Sequence, residues 1–166
     1  MLPALALVLL AFNATVPGAA ATYTNDSYEV KLADYINDYR QARGLARLPL
    51  STAYSYWANW RSYDMCKRRY FSHTIPATSN WPGGGNLLDY WRYRKLWAGG
   101  AYRFGEIIAY NSYTSGWLYT LFKQWKYSSI HNSMMLSYNG KYDRIGVGVY
   151  NCGNGRHYAT VVFVNR

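Results

Sequence analysis

Apolar residues recur at helical spacing between about residues 27 and 43, at Val30, Ala33, Ile36 and Tyr39, which predicts an amphipathic helix. Asp26 or Ser27 can cap its start, and Gly44 stops it. Leu48-Pro49-Leu50 bridges to a second helix that opens at Ser51 or Thr52 and runs to about Arg69. Ala53, Trp57, Trp60 or Arg61, Asp64 and Met65 lie along its faces. Residues 71–85 contain Pro76, Pro82 and three consecutive glycines and read as loop. A third helix is predicted over Asn86–Leu96, closed by Gly99-Gly100. Phe104–Tyr110 reads as a short buried strand. Gly116 precedes another amphipathic helix over Trp117–Lys126, and Ser128 or Ser129 caps a short one reaching Met135. Tyr142–Tyr150 and His157–Val164 flank the Gly-rich turn at 152–155, a hairpin pattern. Helices first and a hairpin last predict an α+β layered domain.

The chain has 166 residues and half are apolar, enough for one domain with a sizeable core. Met1–Phe12 is an apolar run, too short to span a bilayer comfortably, and the small residues Gly18–Ala21 that follow would close a leading segment of residues 1–21. This reads as a secretory signal peptide, with an uncleaved membrane anchor as the alternative. The remaining domain is expected over 28–166, after a short polar tail whose Asn25-Asp26-Ser27 is a glycosylation sequon if the host is eukaryotic. Export places Cys66 and Cys152 in an oxidising space, where they either pair or stay as two separate buried thiols.

Formal net charge is +10, and Arg outnumbers Lys two to one. A charge this high favours acidic partners, and guanidinium forks suit phosphate and carboxylate groups. Lys67-Arg68-Arg69-Tyr70 and Arg92-Tyr93-Arg94-Lys95 mix cations with aromatics, as polyanion tracking requires, although solvated helix faces look the same. Export argues against nucleic acid and for an anionic cell-surface polymer or a membrane surface. Seven tryptophans (57, 60, 81, 91, 97, 117 and 125) exceed what a small core needs. They serve as core and cover, or some of them line an apolar groove.

Glu106 is one of two glutamates and sits in the apolar run Phe104-Gly-Glu-Ile-Ile-Ala-Tyr110. A carboxylate buried there costs several kcal/mol unless cations or donors meet it. Two of the three histidines, His73 and His131, are candidates for that part. Two imidazoles and a carboxylate also form a possible zinc ligand set, though the spacing of these three matches no compact metal motif. Ser128 and His131 are three apart on a helical turn, which suits a nucleophile–base pair, while a helix cap explains Ser128 equally well.

Several short patterns fall in one order: Asn37-Asp-Tyr-Arg40 with Gly44-Leu45 and Leu48-Pro49-Leu50, Asp64-Met65, Tyr70-Phe-Ser-His73, Gly105-Glu106, Trp125-x-x-Ser128-x-x-His131, and Tyr142-x-x-Ile145-Gly-Val-Gly148. The chain resembles the bacterial branch of the CAP superfamily, or SCP domain (cysteine-rich secretory, antigen 5 and pathogenesis-related proteins), from about Val30 to Phe163. The resemblance implies an α-β-α sandwich with a small antiparallel sheet and a central cleft. It assigns the cleft histidines to His73 and His131 and the acid to Glu106. The second acid of many eukaryotic members falls on Ser128. Ile107 stands where the family usually has Asn, and Ser129-Ile130 stands where a Pro-Gly pair is frequent. His157 resembles a family signature but comes after the Ile-Gly-Val-Gly strand, so it reads as a final-strand residue.

Some relatives bind zinc or another divalent ion through the two histidines, and secreted members are linked to lipid or sterol binding. The expectation is therefore a secreted, monomeric binding or interaction module rather than a conventional enzyme. Metal site candidates are His73, His131 and Glu106. The alternative is an extracellular hydrolase, metal-assisted or serine-type, drawing on His73, Glu106, Ser128 and His131.

Overall fold

A computed structural model describes residues 23–94 and 103–165. The signal segment, Lys95, Trp97 and Gly99-Gly100 lie outside the described residues. The elements are α1 (Ser27–Gln41), α2 (Thr52–Arg68), α3 (Leu87–Tyr93), β1 (Arg103–Asn111), α4 (Trp117–Tyr127), α5 (Ser129–Met135), β2 (Arg144–Asn151) and β3 (His157–Asn165).

Local chemistry accounts for the helix ends. Asp26 caps α1 and forms a capping box with Glu29, so two orphan N–H groups are satisfied reciprocally. Gly44 ends the following turn at φ 70°. Asn86 and Asp89 repeat the capping box on α3, which runs Leu87–Tyr93, and the Leu96 to which the pattern extends it lies outside the described residues. Ser51 sits at the N-cap of α2 without a side-chain cap bond, and its backbone N–H instead donates to the Ile145 carbonyl at 2.8 Å.

The sheet has the order β1-β3-β2, antiparallel throughout. The expected hairpin is therefore the β2–β3 pair, and β1 adds to its far side. Successive strand residues face opposite layers. Ile107, Val147, Val161 and Phe163 pack with Leu32, Ile36, Leu121 and Trp125 on the side of α1, α4 and α5. Val162 and Val164 pack with Tyr54, Trp57 and Trp91 on the side of α2 and α3, where Ile108 meets Met65 and Cys66. This is the α-β-α sandwich, with β3 buried on both faces.

α2 lies unusually close to β2. A Cβ on Gly148 would stand 1.9 Å from the Asn59 backbone nitrogen, and one on Gly146 would stand 2.3 Å from the Tyr54 carbonyl carbon. The two glycines let the backbones approach, and polar side chains of α2 then stitch the contact. Ser62 Oγ donates to the Gly148 carbonyl at 3.1 Å, and Ser55 Oγ accepts from the Val147 N–H at 3.0 Å. Cys66 and Cys152 are joined as a disulfide, which ties the end of α2 to the β2–β3 turn and leaves no free thiol among the described residues.

Two α1 residues steady the opposite layer. Asn37 brackets Leu48, donating to its carbonyl and accepting from its N–H. Arg40 is buried and donates to the carbonyls of Met135 and Ser137 at 2.7 and 3.1 Å, which fixes the C-terminal end of α5. The first pattern of the chain thus positions the helix that carries His131.

Candidate functional site

β1 is an edge strand, and its outer rim carries the site. An open edge needs partners for its backbone groups. Here the Trp125 indole donates to the Ile108 carbonyl at 2.9 Å and the Gln124 amide to the Tyr110 carbonyl at 3.2 Å. α4 is thereby held against the rim without closing it. A groove of about 660 Å³ remains, walled by Phe71, Ile108 to Tyr113, Gln124, Trp125, Ser128 and His131. Its lining is mainly apolar and aromatic, with Phe71 set edge-on to Tyr110 at 4.8 Å between ring centres.

Glu106 faces α2 from β1, and its side chain is only 5% exposed. Both its oxygens are engaged. Arg61 Nε, fully buried, donates to Oε1 at 3.1 Å, and the His73 Nδ1–H donates to Oε2 at 2.8 Å. Arg61 continues outward, donating to the Tyr70 hydroxyl at 2.6 Å and to the Ser72 carbonyl. Tyr70 in turn donates to Asp64, which holds Arg68 in a two-pronged pair at 2.8 and 2.6 Å. Burial pushes the Tyr70 phenol well above its ordinary value, so it stays a neutral donor. The network grips the loop before His73 at Tyr70 and Ser72, and Arg68 holds it beyond His73 by donating to the Pro76 carbonyl at 2.9 Å.

Arg61 is the functional residue that sequence reasoning passed over. The buried carboxylate does find a cation, but the permanent charge comes from α2, with His73 as the second partner. The signal was present, because Arg61 lies four residues from both Trp57 and Met65, and an arginine on a buried helix face must be paired.

His73 and His131 come from opposite layers and meet at the rim. Their ring centres are 6.3 Å apart and their planes inclined at 45°. The bond to the Glu106 carboxylate places a proton on His73 Nδ1, so in the neutral ring the lone pair lies on Nε2. Burial, followed by the nearby His73, holds His131 below the ordinary imidazole range, so it is neutral at neutral pH. Two imidazoles sharing one zinc, at about 2.0–2.1 Å per bond, hold their ring centres roughly 5–6 Å apart. The observed separation of 6.3 Å lies just above that range. Glu106, with both oxygens occupied, fits the outer position that orients a ligating histidine. Among the described residues, no group of three His, Cys, Asp or Glu side chains is arranged as a ready metal cage.

Ser128 occupies the junction of α4 and α5 on the groove wall and makes no side-chain cap bond. Ile107 is fully buried in the core, on the strand face opposite Glu106. His157 is a β3 residue, stacked on Trp117 at 4.0 Å and nearly parallel to it. Of the described tryptophans, Trp57, Trp81 and Trp91 are buried away from the groove, and Trp125 is the one on its wall.

Fold and site together define a three-layer domain with a paired-imidazole cleft at a sheet edge. The model of the cysteine-rich secretory protein (CAP) family matches residues 33–164, and the chain belongs to that family. Similar solved structures include an extracellular SCP-domain protein from Bacillus anthracis, at 24% identity and TM-score 0.65. An outer surface protein from Borrelia burgdorferi matches at 17% identity and TM-score 0.63. A cysteine-rich secretory protein from Staphylococcus aureus matches at 21% identity and TM-score 0.58. The matches cover 84%, 86% and 87% of this chain respectively. The chain spans 40% of the Bacillus and Staphylococcus proteins and 96% of the Borrelia one. Curated proteins give no match.

Proposed function

We propose that this chain works outside the cell as a ligand-binding or interaction domain. Its groove takes an apolar molecule, a lipid or a sterol, and the imidazole pair at the groove mouth holds a divalent metal such as zinc. The observation that carries this reading is the opening of an aromatic-walled groove directly beside two imidazoles 6.3 Å apart, one of them oriented by a buried carboxylate. Binding sites for small molecules are typically apolar clefts of this size with a few convergent polar groups. The extracellular and surface descriptions of the similar Bacillus and Borrelia proteins support an extracellular location, as does the apolar leading segment. A bound metal supplies a Lewis-acidic contact for a polar ligand group. His73 Nε2 and a His131 ring nitrogen hold it, and Glu106 orients His73.

Ser128→Trp tests the groove, because it places an indole on the wall at a half-buried position. Titration with a fluorescent sterol and a fluorescent fatty acid is expected to saturate with wild type and to weaken by about tenfold or more in the variant. Equal affinity in both proteins contradicts the groove as the binding site.

A second reading, hydrolysis of an extracellular substrate, draws on the Ser128 hydroxyl. It is free of a cap bond and one helical turn from His131 on the same wall.

A further inference from the structure

A second pocket, of about 360 Å³, opens at the end of α2 beside the Cys66–Cys152 bridge. Lys67, Arg69 and Arg156 line it together with Asn154 and the buried Tyr158, and no carboxylate does. None of the three cations makes an ion pair among the described residues. Arg68, between Lys67 and Arg69 in sequence, is instead neutralised by Asp64. We propose that this pocket binds a phosphate-bearing ligand.

The disulfide matters because it brings two chain segments to one place. Lys67 and Arg69 come from the end of α2, and Arg156 comes from the β2–β3 turn. That turn is held by the Cys152 N–H on the Arg156 carbonyl at 2.8 Å and by Asn154 Oδ1, which accepts from the Arg156 N–H at 3.2 Å. Lys67 lies over the Tyr63 and Tyr150 rings at 5.7 and 5.9 Å and Arg156 over the Tyr110 ring at 6.0 Å, but no anion among the described residues meets the three charges, and an anion with two or more charges relieves their mutual repulsion. Two guanidinium groups offer the forked donors that suit phosphate oxygens, with Lys67 as a point charge. Arg69 also adopts the left-handed helix cap at φ 56°, a conformation that favours glycine. The negative end of the α2 dipole works against an anion. In its last turn the Cys66 and Met65 carbonyls are bonded, by the N–H groups of Arg69 at 3.3 Å and Tyr70 at 3.1 Å. The pocket is distinct from the groove, separated by the stacked pair Tyr110–Tyr158 at 5.5 Å.

The test is a two-dimensional ¹H–¹⁵N NMR titration of the disulfide-bonded protein with sodium pyrophosphate at low salt. Saturable shifts are expected at Lys67, Arg69 and residues 152–156. Arg156→Gln and Lys67→Gln should each weaken binding about fivefold or more, since each removes a charge-assisted contact. Arg43→Gln removes an exposed cation that sits over Tyr39 on another face and should leave binding unchanged. A parallel arm compares phosphatidylglycerol-containing vesicles with phosphatidylcholine vesicles. Retention on the anionic vesicles alone, lost in Arg156→Gln, assigns the phosphate to a lipid headgroup. Pyrophosphate binding without vesicle retention assigns it to a free phosphate compound. Shifts that never saturate and spread over the whole basic surface overturn the proposal, as does an Arg43→Gln loss equal to that of Arg156→Gln.

Discussion

Arg61→Met is expected to lower the free energy of unfolding by about 3–5 kcal/mol, because it strands Glu106 as a buried anion without its permanent counter-charge. Glu106 is 5% exposed and Arg61 fully buried, so solvent screening compensates little. The variant also loses the donors to the Tyr70 hydroxyl and the Ser72 carbonyl, which frees the loop that carries His73. His73 remains as the second partner of Glu106. Urea denaturation of wild type, Arg61→Met and the double variant Arg61→Met/Glu106→Leu at neutral pH measures this. The double variant should regain much of the loss, since removing both charges leaves none stranded. A single-variant loss below about 1 kcal/mol, as for an exposed ion pair, would contradict the buried network.

Gly148→Ala is expected to cost more than about 3 kcal/mol or to abolish folding, beyond the usual range for overpacked cores. The added methyl meets the backbone of α2, 1.9 Å from Asn59 N and 2.1 Å from the Ala58 carbonyl carbon. Backbone has no rotamer to yield, so the helix must lift from the sheet and break the Ser62 and Ser55 bonds. A Cβ on Gly105 is a useful contrast. It stands 2.7 Å from Met134 Sδ and 2.8 Å from the Tyr142 hydroxyl, both ends of side chains that can move. Thermal unfolding of Gly148→Ala and Gly105→Ala side by side should rank them in that order. Equal or reversed costs would mean that α2 and β2 do not approach as described.

The helices were legible because local chemistry specifies them. Asp26 with Glu29 and Asn86 with Asp89 mark two helix starts, and Gly44 marks the turn that follows the first helix. The strand pattern announced the terminal hairpin, but not that β1 would join at β3, because pairing across some 50 residues is a tertiary choice. The scarcity of acids flagged Glu106, and the ordered patterns flagged His73 and His131. His73 lies in a loop without periodicity, so nothing local indicated its direction. It is aimed by Arg61 through Ser72 and by Glu106, two contacts that exist only after α2 docks on β1. The Lys67–Arg69 run read as one cationic cluster. Asp64, four residues before Arg68, divides it, and only the disulfide adds Arg156 to the remaining pair.

Convergence of the two imidazoles on a single ion is tested most directly by calorimetric titration of zinc into wild type, His131→Ala and Glu106→Gln, with folding verified by circular dichroism. One zinc per chain is expected for wild type, with binding weakening as acid protonates the rings. His131→Ala should abolish that binding, and Glu106→Gln should weaken it by about 10–100-fold, as for loss of a partner that orients a ligating histidine. Undiminished zinc affinity in a folded His131→Ala protein would contradict the shared site.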